Sequence, residues 1–160
     1  MLTTPLLLCR VRDRRRSFAS SSTLTTLLSQ AGRLVQERIG RDLEPLGVSY
    51  AQAAVLVRLW RHGEMPQAEM IQSLSLSRAS GTQVLKELEQ RGLIDRQPDY
   101  RDGRGRVVRL TEEGVDLEPQ VFEVFQRVER AIRAPLSEDE VGDGLRILRA
   151  LLEGIQHHRR

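Results

Sequence analysis

The chain has 160 residues, 39% of them apolar and only 4% aromatic, which suits one domain with a modest helical core. Its formal charge is +3 and its pI near 9.7, and because Lys86 is the only lysine the positive charge is almost wholly arginine, the residue suited to bidentate contacts with guanine and phosphate. The single cysteine, Cys9, excludes an internal disulfide, and no apolar run approaches the length of a membrane span.

Residues 1–22 show little helical periodicity and end in a serine cluster. Arg10, Arg12, Arg14, Arg15 and Arg16 stand there against Asp13. The segment reads as a solvated, flexible basic arm, or as residues ahead of the true start; its functional use would be a grip on phosphate that adds salt-dependent affinity. It does not read as a secretion signal, since no positive residue precedes the apolar stretch and Leu6 to Cys9 is short for an h-region.

From Leu24 to Leu46 apolar residues recur at helical spacing, predicting a long first helix ended by Pro45-Leu46-Gly47. Ser49 to Gln52 is a capping box opening a second, mostly apolar helix placed centrally and closed by Gly63. Pro66 fits the first position of a short third helix through Leu74, followed by a turn at Ser75–Leu76.

The stretch from Ser77 to Thr111 is the most informative. Ser77 is a plausible N-cap and Gly92 a good residue just past the end of a helix over 77–91. Val84, Leu85 and Leu88 lie on one side of it. Arg78, Ser80, Thr82, Gln83 and Lys86 lie on the other, where hydrogen-bonding side chains can meet base edges and phosphates in a major groove. Leu93 to Pro98 and Arg106 to Leu110 read as two short strands joined by a glycine-rich tip. Between Arg91 and Arg109 six arginines face three aspartates, whereas residues 110–160 are net acidic. A helix with a polar outer face followed by a basic hairpin is the composition of a winged helix-turn-helix, with Arg101 and Arg106 as phosphate contacts.

Beyond the hairpin, Thr111 can cap a fifth helix, with Glu112 and Glu113 favourable in its first turn. Val115, Phe122, Phe125, Val128 and Ile132 form its expected stripe, and Pro119 should bend it or delay its start. Leu136 to Val141 combines a hydrophobic staple with a capping box and opens a last helix, expected to turn Val141, Leu145, Leu148, Leu152 and Ile155 inward. The stripes of the terminal helices exceed what one small winged-helix core would cover, which marks an interface.

No catalytic or metal-binding constellation is present. His62, His157 and His158 have no ligand partners at suitable spacing, DGRG is a turn rather than a nucleotide loop, and neither enzyme chemistry nor a cofactor is expected.

The segment LSRASGTQVLKELEQRGLI, followed by D-x-R-x-x-x-V-x-L-T-x-x-G (Asp102, Arg104, Val108, Leu110, Thr111, Gly114), resembles the MarR (multiple antibiotic resistance regulator) transcription factors. SYAQAAVLVRLW and MPQAEMIQSLSLS resemble the family's two preceding helices, so the likeness runs from about Leu24 to Ile155. The resemblance implies that terminal helices interleave into a two-fold homodimer, that Arg104 reaches a narrow minor groove, and that Asp102 holds its guanidinium. It also implies a small phenolic or anionic effector bound between the winged-helix core and the dimer helices, with Tyr50, Trp60, His62 and Phe122 as residues that could line the site. Some members sense hydroperoxides through a cysteine near the first helix; Cys9 lies well before it.

The expected protein is therefore mainly α, a winged helix-turn-helix with a two-stranded β wing and N- and C-terminal dimerisation helices. Residues 1–22 are the arm, 23–47 and 112–158 the dimerisation helices, and 48–111 the DNA-binding region. The expected function is a dimeric, cytoplasmic, nucleoid-associated, ligand-responsive repressor reading a pseudo-palindromic operator, with 77–91 in the major groove and the wing, 95–109, at the minor groove. The rivals are a protein–protein interaction module and a redox-sensing regulator using Cys9. The former would survive loss of Arg104.

Overall fold

The computed structural model describes residues 23–74, 76–99 and 105–157. The arm expected over residues 1–22, including Cys9, lies outside the described residues. The chain divides between Glu37 and Arg38 into two units. In the first, helix α1 (Leu24–Leu43) begins after Thr23, whose hydroxyl accepts from the Thr26 N–H at 3.2 Å; Leu24, Leu27 and Leu34 are exposed.

In the second unit, α1 buries Ile39 and Leu43 and gives way to a single 3-10 turn over Glu44–Leu46. Gly47 ends that turn in the left-handed region at φ 67°, which favours glycine. Helix α2 (Tyr50–His62) opens with the expected box: the Gln52 N–H donates to the Ser49 hydroxyl at 3.2 Å, and the Ser49 N–H donates to the Gln52 side chain at 3.0 Å. Val55, Leu56 and Leu59 on this helix are fully buried, each contributing about 1.5–3 kcal/mol by leaving water.

Chain then passes through strand β1 (Met65–Pro66), helix α3 (Gln67–Ser73) and helix α4 (Arg78–Gln90). Helix α4 ends in a Schellman turn: the Leu93 N–H returns to the Leu88 carbonyl at 3.0 Å and the Gly92 N–H to Glu89 at 2.9 Å, with Gly92 at φ 72°. Strands β2 (Ile94–Pro98) and β3 (Arg106–Leu110) form the wing hairpin, with Ile94 opposite Leu110 and Pro98 opposite Arg106. Thr111 caps helix α5 (Glu112–Asp116), and helices α6 (Glu118–Arg133) and α7 (Glu138–His157) follow.

Several expectations change in detail. Pro66 is not the first helical residue; it is extended, stands just before α3, and with Met65 pairs antiparallel to Val107 and Val108, so the wing belongs to a three-stranded sheet ordered β1-β3-β2. Pro119 does more than bend a helix. The chain breaks at Leu117, and Pro119 sits in the first turn of α6, where a missing N–H costs nothing. The stripe expected on that segment is also displaced. Val121, Val124 and Val128 are the buried residues of α6, which packs on α2, while Val115, Phe122 and Ile132 are exposed. Of the expected stripe, Val128 is buried and Phe125 half-buried, while Phe122 and Ile132 lie on the adjoining face of the same helix. Among the described side chains of α7 only Val141 is buried; Leu145, Leu148, Leu152 and Ile155 are exposed rather than turned inward. Its capping box is present, with the Ser137 N–H donating to Glu140 at 2.8 Å and the Glu140 N–H to the Ser137 hydroxyl at 3.3 Å.

Candidate DNA-binding face

Helix α4 is fixed from below. Leu85 and Leu88 are fully buried, and Gly81 lets α4 approach α3 so closely that a Cβ there would stand 2.8 Å from Cγ2 of Ile71. The opposite side is open, with Arg78, Ser80, Thr82, Gln83 and Lys86 all exposed on one surface. Local bonds set several of these side chains. The Ser77 hydroxyl accepts from the Ser80 N–H at 3.1 Å and is hydrogen-bonded to the Ser80 hydroxyl, the two oxygens lying 2.7 Å apart. The Thr82 hydroxyl donates to the Arg78 carbonyl at 2.8 Å. Gln83 donates through Nε2 to Glu87 at 2.9 Å. Helix α3 is tied to α2 by Arg58, which donates to the carbonyls of Ala54 and Ser73 at 2.9 and 2.8 Å.

The arginines around the wing divide by what they touch. Arg91 donates to the carbonyls of Gly47 and Leu46, bracing the end of α4 against the turn before α2. Arg96 is largely buried and makes a close ion pair with Glu89. That hydrogen bond, opposed by partial burial and assisted by the charges of Arg96 and Arg106, holds the Glu89 carboxyl below the usual carboxylate range. Arg109 pairs with Asp95 at 3.0 Å, and Gln97 donates to the same carboxylate at 2.8 Å. Arg106 is exposed at the start of β3. The tip residues Arg101, Asp102 and Arg104 lie outside the described residues. Three of the six arginines thus serve the fold, a division that the sequence does not signal.

The root of the wing is a compact knot. The Thr111 hydroxyl donates to the Gly92 carbonyl at 2.5 Å and accepts from the Gly114 N–H at 3.1 Å. The Thr111 N–H donates to the Leu93 carbonyl at 3.2 Å. Gly114 is buried, and its carbonyl accepts from the Trp60 indole N–H at 3.0 Å. This accounts for the spacing L-T-x-x-G: threonine caps, and a glycine is needed three residues on because a Cβ there would lie 2.0 Å from the Leu93 carbonyl oxygen.

Between α2 and α6 lies a cleft of about 370 Å³ lined by Val57, Trp60, Arg61, Glu118, Phe122 and Phe125, together with Val121. Of the side chains considered for an effector site, Trp60 and Phe122 line it, while Tyr50 and His62 do not. Among the described residues no cluster of metal-ligating side chains occurs, and no helix is long and apolar enough to cross a membrane.

A braced helix with a polar outer face, carried beside an arginine-bearing hairpin on a three-stranded sheet, defines a winged helix-turn-helix regulator. Residues 48–105 match the MarR family. The chain is 31% identical over 101 residues to the organic hydroperoxide resistance transcriptional regulator of Bacillus subtilis, covering 63% of this chain and 69% of that protein. It is 28% identical over 121 residues to the transcriptional regulator MhqR of the same organism, covering 76% and 83%. A solved structure of MarR superposes with a TM-score of 0.79 at 28% identity, covering 88% of this chain and 95% of that one. A mutant MarR from E. coli complexed with operator DNA gives 0.74 at 25% identity, covering 81% and 93%. The chain belongs to the MarR family and is a winged-helix transcriptional regulator.

Proposed function

We propose that the chain acts in the cytoplasm, on the nucleoid, as a homodimeric, ligand-responsive repressor of a two-fold symmetric operator. Helix α4 enters the major groove, where Arg78, Ser80, Thr82, Gln83 and Lys86 meet base edges and phosphates. Arg101 and Arg106 hold phosphate, and Arg104, steadied by Asp102, lies in the minor groove. The observation that carries this reading is the exposed, mostly polar face of α4, opposite a fully buried Leu85 and Leu88.

Dimerisation is supported by the row Leu145, Leu148, Leu152 and Ile155 on α7, four large apolar side chains each at least 40% exposed. A monomer rarely leaves such a row in water, and a second copy would cover it. Residues 23–47 and 112–158 are accordingly the dimerisation helices and 48–111 the DNA-binding region. Two half-sites would then lie roughly 10 bp apart.

The effector site is the cleft at Trp60. Its aromatic walls suit a flat phenolic ring, and Arg61 suits an anionic substituent. A ligand that binds better to a different spacing of the two recognition helices releases DNA, since both must fit successive grooves at once.

The test is binding to DNA upstream of the chain's own gene, and to a pool of random sequences, as a function of salt. Enrichment of a symmetric site bound by two chains, with affinity falling steeply as salt rises, supports the reading. Binding confined to a sequence-independent level in both experiments overturns it.

A further inference from the structure

Glu87 stands one turn beyond Gln83 on α4 and links it to the interior. One carboxylate oxygen accepts from Gln83 Nε2 at 2.9 Å, and the other accepts from Gln52 Nε2 at 3.0 Å. Gln52 is only 7% exposed. Its amide is oriented by the capping box, because its Oε1 already accepts from the Ser49 N–H at 3.0 Å. A row of four groups therefore runs from the start of α2 to the outer face of α4, with donors converging on the Glu87 carboxylate from both sides. A carboxylate only accepts, so both glutamines must turn their nitrogens toward it.

For Gln83 this leaves Oε1 and the second N–H outward, an acceptor beside a donor. Adenine offers the complement in the major groove, a donor at N6 beside an acceptor at N7. Guanine offers two acceptors there, and each pyrimidine lacks the second polar partner. We infer that Gln83 reads an adenine in each half-site, and that Glu87, anchored by Gln52, is the positioning residue that turns the Gln83 amide to do so. This rests on the proposed placement of α4 in the major groove.

Gln83 is exposed, so Gln83→Ala leaves the fold intact. Glu87→Gln keeps the size of the side chain but offers one acceptor instead of two. The more buried Gln52 retains that acceptor, since orphaning a buried donor is costly. The new amide then turns its nitrogen toward Gln83, whose own amide turns over.

The experiment is random-sequence selection with the full chain for wild type, Gln83→Ala, Glu87→Gln and the double variant, with thermal melts to verify folding. The wild type should enrich adenine at one position per half-site. Gln83→Ala should flatten that position alone, losing about 5- to 150-fold discrimination. Glu87→Gln should change the same position and no other, and should change nothing further in the Gln83→Ala background. Its lost charge raises affinity for every sequence alike and leaves the preference at other positions intact. A wild-type site whose Gln83-dependent position is not adenine overturns the inference, as does a Glu87→Gln variant with wild-type preference there. A wild type that selects no sequence overturns the groove placement itself.

Discussion

Gly114→Ala is the most demanding test of the wing root. The added methyl carbon would stand 2.0 Å from the Leu93 carbonyl oxygen and 3.1 Å from Leu110 Cδ2. The first distance is too short for any contact, and the obstructing atom is backbone, so α5 must shift by an ångström or more relative to Leu93. Three bonds meet there: Thr111 N–H to Leu93, Gly114 N–H to the Thr111 hydroxyl, and the Trp60 indole to Gly114. At a net value of about 1 kcal/mol each, their loss costs about 3 kcal/mol. The better helix propensity of alanine offsets about 1 kcal/mol. The remaining loss of at least about 2 kcal/mol should lower Tm by roughly 4–8 °C. Thermal unfolding by circular dichroism at equal protein concentration measures it. Gly40→Ala is the control, for a Cβ there meets nothing within 4 Å and it should melt at or above wild type. A Gly114→Ala protein that melts with wild type would refute the account of the knot.

Stability should also depend on Glu89. Its carboxyl titrates lower when folded than the ordinary value of 4.5, so the Arg96 pair stabilises fully above that value, and the contribution disappears as pH falls through the lower folded value. Glu89→Gln should be less stable than wild type at neutral pH and converge with it in acid, as urea unfolding across pH will read; parallel curves would exclude the pair as the cause. Arg106→Ala should weaken binding to all DNA sequences about equally and reduce the slope of log affinity against log salt by about 0.9. A changed base preference instead would make Arg106 a reader of sequence. Leu148→Asp with Leu152→Asp should yield a folded monomer by sedimentation, since neither side chain belongs to the monomer core; an unchanged dimer would move the interface off α7.

Features encoded by neighbouring residues were legible in the sequence. Ser49 with Gln52, Ser77, Thr111, and Ser137 with Glu140 all open helices where their side chains can reach the first free N–H groups, and Gly92 ends one where a left-handed residue is needed. What escaped depends on distant partners. Met65 and Pro66 are too few to show a period, and they form a strand only because Val107 and Val108 arrive beside them. The face that α6 buries, Val121, Val124 and Val128, is chosen by its packing on α2, and in sequence the larger Phe122 and Ile132 beside it give the stronger apolar signal. The arginines of the wing look alike in sequence, yet Arg96 is occupied by Glu89 and Arg109 by Asp95, while Arg106 is exposed at the start of β3.

Trp60 is the chain's single tryptophan, and its ring lines the cleft while its indole N–H holds the root of the wing. With excitation beyond the tyrosine band, the emission of the unlabelled chain therefore comes from one known place. A molecule seated in the cleft presses on the fluorophore itself, and any loosening of the Gly114 bond changes the polarity around the indole nitrogen. Occupancy of the cleft and the state of the wing root can thus be followed as two features of one emission spectrum, its intensity and its wavelength, in a simple titration without dyes or DNA.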